Sequence, residues 1–260
     1  MHFHKYQGAG NDFILIDNRS GTIQPTPEQI RKLCDRRFGI GADGLMLLNT
    51  AVGYDFEMKY HNADGQPGTL CGNGSRCIVR FAFHLGIVRE CYHFMASDGP
   101  HKATLLPDGR IALEMNDVTQ VEQSEVDLVM DTGSPHFVRF VSSLDEVDVY
   151  RIGKSIRNEI RFAPRGINVN FVERTDQPDR IRVRTFERGV EDETLACGTG
   201  VTACAIAVAI VYRTCQPTII ETRGGLLEVQ FSTTDFKKFS NIQLIGPAEK
   251  VFEGDLPDAP

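Results

Sequence analysis

Hydrophobic positions along the chain fall into two kinds of pattern. Residues 201–211 are apolar at every position but Thr202, and residues 77–85 at every position but Arg80 and His84. The longer run is rich in alanine, and its length and small side chains predict a helix buried on all sides rather than a strand. Elsewhere apolar side chains come in short runs or alternate with polar ones, which predicts strands. Two strand-like stretches within residues 1–17 flank the glycine-rich turn Gly8-Ala9-Gly10-Asn11-Asp12, the pattern of a hairpin whose turn leaves Asn11 free to approach a ligand. Further strands are expected over residues 45–49, 56–60, 92–96, 102–106 and 111–115, the last two joined by the turn Pro107-Asp108-Gly109-Arg110. Thr26 followed by Pro27 reads as the cap and first position of a helix that continues from Ile30 to Cys34.

Residues 117–126 carry few apolar side chains and mark an expected domain boundary near residue 118. Beyond it the same grammar returns. Strands are expected over 128–131 and 137–141, a helix over 149–161, strands over 168–174 and 181–186, then the long buried helix, then strands over 218–221, 226–231 and 241–245. Each buried helix follows the same kind of tetrapeptide, Cys71-Gly72-Asn73-Gly74 in the first half and Cys197-Gly198-Thr199-Gly200 in the second. The two motifs stand about half a chain apart, too far for a solenoid repeat, so the pattern predicts a duplicated domain. The expectation is an α+β fold of two similar domains, residues 1–118 and 119–260, with the site between them and the final residues free to pack back on the N-terminal half.

Composition narrows the function. The 260-residue chain is 41% hydrophobic and 24% charged, as soluble globular proteins are. Its net charge of −7 offers no basic field for nucleic acid or an anionic membrane. The N-terminus, Met1-His2-Phe3-His4-Lys5-Tyr6, lacks the apolar core of a signal peptide, so a cytoplasmic location is expected. Seven cysteines, an odd number in a chain of this size, argue against a disulfide framework. No Cys-x2-Cys pair occurs, and no metal site is expected. The glycines of Phe38-Gly39-Ile40-Gly41-Ala42-Asp43-Gly44 lead into the strand-like Leu45-Met46-Leu47-Leu48, so they do not fit a dinucleotide fingerprint.

The duplicated cysteine is the candidate chemistry. A helix N-terminus presents free N–H groups and a positive dipole end, which favour a thiolate or a substrate carboxylate. Two thiols so placed suit a 1,1-proton transfer at a stereocentre: one, as thiolate, removes the α-proton and the other, as thiol, returns a proton to the opposite face. Backbone donors at Gly72, Asn73, Gly198 and Thr199 could hold the reacting carboxylate. A thiol switch would call for a resolving cysteine two or three residues away, and none is present. A non-catalytic binding domain of the same fold is the remaining alternative of another class.

Several motifs together resemble the diaminopimelate epimerase family. They are Gly8-x-Gly10-Asn11-Asp12-Phe13, residues 38–44, Asn62-Ala63-Asp64-Gly65, Leu70-Cys71-Gly72-Asn73-Gly74-Ser75-Arg76-Cys77, Asn168-Val169-Asn170-Phe171, residues 185–191 and Thr194-Leu195-Ala196-Cys197-Gly198-Thr199-Gly200. The resemblance spans nearly the whole chain. It implies a cofactor-independent epimerase that interconverts LL- and meso-diaminopimelate on the way to lysine and peptidoglycan, with strands wrapped around a central buried helix in each domain. It implies a small-molecule substrate, no nucleic-acid or membrane partner, and a homodimer as an admissible assembly. By resemblance, Cys71 and Cys197 are the acid–base pair, with His136 and Glu187 assisting the thiols. Asn11, Asn62, Asn168, Glu187 and Arg188 match the family's ligand contacts, and Gly72, Asn73, Gly198 and Thr199 its donors to the reacting carboxylate. Ser134 stands where the family usually has asparagine, and residues 66–70 lack the acidic residue common before the cysteine. A racemase of the same superfamily acting on proline or hydroxyproline is the nearest alternative, disfavoured because a one-headed substrate needs no second polar pocket.

Overall fold

A computed structural model describes residues 1–68 and 71–256. Thr69 and Leu70, the latter part of the first cysteine motif, and residues 257–260 lie outside the described residues. The chain forms two compact units. The first comprises Met1–Leu113 together with the segment that begins at Gly246, and the second comprises Glu114–Ile245.

The first unit contains β1 (His2–Gly8), β2 (Asn11–Asp17), α1 (Pro27–Cys34), β3 (Gly44–Asn49), β4 (Phe56–Asn62), α2 (Gly72–His84), β5 (Cys91–Ala96), β6 (Gly99–Leu105) and β7 (Ile111–Glu114). Ala9 and Gly10, both at positive φ, make the two-residue turn that joins β1 to β2. That turn matches the twist of the strands and fixes Asn11 as the first residue of β2, opposite Gly8. Pairing then runs antiparallel β1–β2, parallel β2–β3, antiparallel β3–β4, parallel β4–β5 and antiparallel through β6 to β7. Parallel neighbours need crossovers, and these carry the helices: α1 between β2 and β3, α2 between β4 and β5. Strand alternation decides which helix meets which side chain. Ile14, Ile16, Leu45 and Leu47 pack with Ile30 and Leu33 of α1. Met46 and Phe13 instead lie against α2 at Gly74. Thr26 caps α1 in a reciprocal capping box with Gln29, as the Thr-Pro signal predicts.

The second unit repeats this plan with β8 (Val121–Gln123), β9 (Asp127–Asp131), β10 (Pro135–Phe140), α3 (Val149–Arg157), β11 (Asn168–Arg174), β12 (Arg180–Glu187), β13 (Asp192–Thr194), α4 (Gly198–Tyr212), β14 (Thr218–Thr222), β15 (Gly225–Ser232) and β16 (Ser240–Gly246). Pairing is antiparallel β9–β10, parallel β10–β11, antiparallel β11–β12, parallel β12–β14 and antiparallel through β15 to β16. Strand for strand this is the order of the first unit. The chain's last strand, β17 (Glu249–Asp255), completes the likeness: it flanks β1 as β8 flanks β9. In each unit strands wrap one helix. α2 touches β1, β2, β3, β6 and β17, and α4 touches β9–β12, β14 and β15. Every residue of α4 from Gly200 to Ile210 is buried, as the unbroken apolar run predicts.

Four elements differ from the sequence expectation. The helix expected over 149–161 ends at Arg157, where the Asn158 side chain takes the Lys154 carbonyl (2.8 Å), and a 3-10 turn follows at Ile160–Phe162. β8 lies inside the polar stretch 117–126, and the short β13 follows β12; neither has an apolar face to announce it. β17 is an exposed edge strand whose residues do not alternate in burial, so it carries no strand pattern. Among the described residues, no helix is long and apolar enough to cross a membrane.

Candidate active site

Both motif cysteines occupy the N-cap of a buried helix, in nearly the same backbone conformation. Cys71 has φ −108° and ψ 116°, Cys197 φ −115° and ψ 113°, and neither helix start has a side-chain cap. The amide groups that follow are the orphan donors of a helix N-terminus. A cysteine occupies the N-cap in each case, and its surroundings differ between the units.

At α2, the Cys71 thiol donates to Asn11 Oδ1 at 3.6 Å, and Asn73 Nδ2 approaches the same oxygen at 3.5 Å. Asn11 is oriented by an ionic cluster. Its Nδ2 donates to Asp43, which also accepts from the Asp12 backbone N–H (3.2 Å). Arg36 bridges Asp12 and Asp43 at 2.7 Å each, and the buried Lys5 pairs with Asp12 at 2.7 Å. Burial alone would raise the Asp12 carboxyl, but its bonds to Arg36 and Lys5 outweigh that and hold it at about 2. Inside the helix, Arg76 is fully buried and donates to Asn73 Oδ1 (2.8 Å), the Gly72 carbonyl (3.1 Å) and the Pro247 carbonyl (3.3 Å). Burial pushes the Cys77 thiol far up, so it stays protonated.

At α4, Cys197 Sγ lies 3.5 Å from Thr199 Oγ1, which lies 2.8 Å from His136 Nε2. The proton on His136 can be placed by elimination. Asn170 Nδ2 donates to the Phe137 carbonyl (2.9 Å), and Asn170 Oδ1 accepts from the Thr185 hydroxyl (2.9 Å), which fixes the orientation of the amide. The same Nδ2 then donates to His136 Nδ1 at 3.1 Å, so the ring hydrogen sits on Nε2 and points at Thr199. His136 is wholly buried; desolvation, with the Arg188 charge as a second cause, pulls it down to about 3. It is therefore neutral at working pH. Ser134 Oγ lies 3.0 Å from His136 Nε2 and 3.2 Å from Thr199 Oγ1, and it accepts from Asn168 Nδ2 at 3.1 Å. Gly200 makes room for this amide: a Cβ on it would stand 2.5 Å from Asn170 Oδ1.

Residues 3–121 and 128–251 each match the diaminopimelate epimerase family. The chain belongs to that family. It is 48% identical over 258 residues to the diaminopimelate epimerase of Flavobacterium psychrophilum, covering 97% of this chain and 99% of the relative. The double match agrees with the duplicated strand order. In fold it is also similar to a phenazine biosynthesis protein of the PhzF family from Bacillus anthracis (TM-score 0.77, 15% identity, 98% of each chain). A probable proline racemase from Agrobacterium radiobacter K84 is likewise similar (TM-score 0.69, 16% identity, 98% of this chain and 92% of that one). At such identities these two likenesses speak for the fold alone.

Measured against the family's expected contacts, the first unit gathers Asn11, Gly72 and Asn73 around Cys71. Asn62, exposed at the end of β4, shares a rung with Gly44 of β3, which in turn pairs with Phe13 of β2. The second unit gathers Gly198, Thr199 and His136 around Cys197. Asn168 is opposite His136 in the β10–β11 ladder, and its Oδ1 accepts from the Arg188 backbone N–H at 2.8 Å. Glu187 accepts from the Thr194 hydroxyl at 3.0 Å. The Arg188 guanidinium is half-buried, donates to the Arg165 carbonyl (3.3 Å) and meets no acidic side chain among the described residues. Sequence reasoning missed Asp43, Arg36, Asn170, Thr185 and Arg76, the residues that orient the first contacts. Among the described residues, the one group able to hold a metal ion is His2, His4 and Glu253, which includes neither motif cysteine.

Proposed function

We propose that this chain interconverts LL- and meso-diaminopimelate, on the route to lysine and peptidoglycan, with Cys71 and Cys197 as the two acid–base groups. The observation that carries the reading is the pair of thiols at the N-caps of two buried helices, alike in backbone and without side-chain caps. In one direction a thiolate takes the α-proton as the other thiol gives one, and the protonation states exchange. The amides of Gly72, Asn73, Gly198 and Thr199 are suited to hold the reacting carboxylate and the charge that develops on it. Each well-aimed donor of this kind contributes about 3–4 kcal/mol in other enzymes.

Asn11 accepts from the Cys71 thiol and so supports its protonated form, while Thr199 hands the influence of His136 to Cys197. As a neutral donor through Nε2, His136 orients Thr199 rather than taking the thiol's proton itself. Arg188, with no acidic partner among the described residues, suits the distal carboxylate, which a planar guanidinium grips in two-pronged fashion. Glu187 beside it suits an ammonium, and Asn62 and Asn168 complete the polar contacts.

The test is α-hydrogen exchange of meso-diaminopimelate in heavy water, followed by mass spectrometry with no added cofactor. Wild-type protein should exchange the hydrogen. Cys71→Ser and Cys197→Ser should each slow epimerisation by about 10²-fold or more while the fold persists. Full activity in either variant would remove that thiol from the reaction. Exchange of proline but not of diaminopimelate would overturn the substrate.

A further inference from the structure

Arg76 carries a positive charge that no contact among the described residues of the first unit balances. Its side chain is fully buried, and its three partners are the Gly72 carbonyl, the Pro247 carbonyl and the Asn73 amide oxygen, all neutral. No acidic side chain pairs with it among the described residues. A buried charge is costly unless an opposite charge meets it, and burial does pull the guanidinium down, to about 10. At that value it remains charged at neutral pH. The anionic forms that it senses in the fold are those of Cys77 and Cys71. Cys77 is held as a thiol by its own burial. Cys71 is left.

The second unit provides an internal control. There the same helical position holds Thr202, whose hydroxyl donates to the Gly198 carbonyl at 2.9 Å, as Arg76 donates to the Gly72 carbonyl. The backbone contact therefore needs no charge. What arginine adds is the cation, set in the first turns of α2, where it reinforces the positive end of the helix dipole. It also fixes the Asn73 amide, oxygen towards the guanidinium and Nδ2 towards Asn11.

We propose that Arg76 is a positioning residue that stabilises Cys71 as a thiolate, opposing Asn11, whose oxygen favours the thiol. The inference rests on the reading of Cys71 as an acid–base group. The other charges near this helix end are paired with one another: Asp12 and Asp43 are met by Lys5 and Arg36. On β17, Glu249 is bonded to Gln7 at the surface.

The experiment is alkylation of the folded full-length protein with iodoacetamide as a function of pH, with each cysteine followed by peptide mass spectrometry. In the wild type, the Cys71 midpoint should fall below the ordinary thiol value of ~8.5. Arg76→Met should raise it by a unit or more and slow Cys71 alkylation at neutral pH about tenfold. Arg76→Lys should restore it, and the Cys197 profile should not move in either variant. An Arg76→Met protein with the wild-type Cys71 profile would overturn the proposal. If that variant does not fold, a wild-type Cys71 midpoint at or above the ordinary value overturns it equally. Alkylation needs no turnover, so a Cys71 without a part in the reaction would show as full exchange in Cys71→Ser and leave this result standing.

Discussion

Gly74 and Gly200 hold the same place in the two motifs, yet alanine should be tolerated at one and not at the other. A Cβ on Gly74 would stand 2.0 Å from Met46 Cε, and a Cβ on Gly200 would stand 2.5 Å from Asn170 Oδ1. Ranked by overlap alone, Gly74→Ala would be the worse change. What each neighbour can do reverses the order. Met46 Cε is the end of an unbranched thioether, and turning it aside in a packed core costs about 1 kcal/mol. Asn170 is held by hydrogen bonds with Thr185, Phe137 and His136. Displacing its amide to ordinary contact strains all three, at about 1 kcal/mol each, or about 3 kcal/mol together. Replacing a helical glycine by alanine returns up to about 1 kcal/mol in both variants. Gly74→Ala should therefore be close to neutral and Gly200→Ala destabilising by about 2 kcal/mol. At about 2–4 °C per kcal/mol for a chain of this size, the second should melt about 4–8 °C lower than wild type. The displaced amide also releases His136 and Thr199, so α-hydrogen exchange should fall about tenfold in Gly200→Ala only. A thermal melt and the exchange assay on both variants decide it. If Gly74→Ala loses as much as Gly200→Ala in either measurement, the account of Asn170 as a rigid support is wrong.

Two further outcomes follow. Arg188→Lys should weaken diaminopimelate binding by at least about 1.5 kcal/mol, seen as a raised KM, while thiol alkylation stays at wild-type rates; unchanged kinetics would remove Arg188 from the site. His136 should make stability depend on pH in a definite direction. Its folded value lies near 3, below the ordinary histidine value, so below about pH 6.5 the unfolded chain binds a proton that the folded one refuses. Stability is then fully present above that pH and falls with acidification by about 1.4 kcal/mol per unit until the folded value is reached. Urea titrations at several pH values should show this slope as the difference between wild type and His136→Asn, and equal slopes would refute the burial argument.

What could be read from the sequence was whatever depends on neighbours along the chain. The helix α4 is written in an unbroken apolar run, the cap of α1 in Thr26-Pro27, and the two thiols in a tetrapeptide used twice. The supports of the site depend instead on strand register. Asn170 reaches His136 because β10 and β11 pair in parallel, with Val138 opposite Asn170 and His136 opposite Asn168. Asp43 orients Asn11 because β3 lies parallel to β2, with Gly44 beside Phe13. No local pattern announces such partners. β17 was invisible for a related reason: an edge strand with both faces largely exposed has no alternation to detect, and only its pairing with β1 defines it.

The duplicated fold keeps its backbone and varies its chemistry, and the variation has a direction. An epimerase that runs both ways needs each catalytic thiol to be about as comfortable protonated as ionised, since each must be acid in one direction and base in the other. A helix N-terminus by itself favours the ionised form. In the first unit an amide oxygen, Asn11 Oδ1, is fixed beside Cys71 by Asp43 and pulls towards the thiol. A fixed acceptor of this kind needs a counterweight, and Arg76 is a cation in the right turn of the right helix. In the second unit Cys197 faces a hydroxyl, Thr199, that can either donate or accept, backed by a histidine whose burial keeps it neutral. A partner able to follow the sulfur through both states needs no counterweight. On the role proposed for Arg76, Thr202 can stand in its place in the second unit because the neighbours of Cys197 call for no cation.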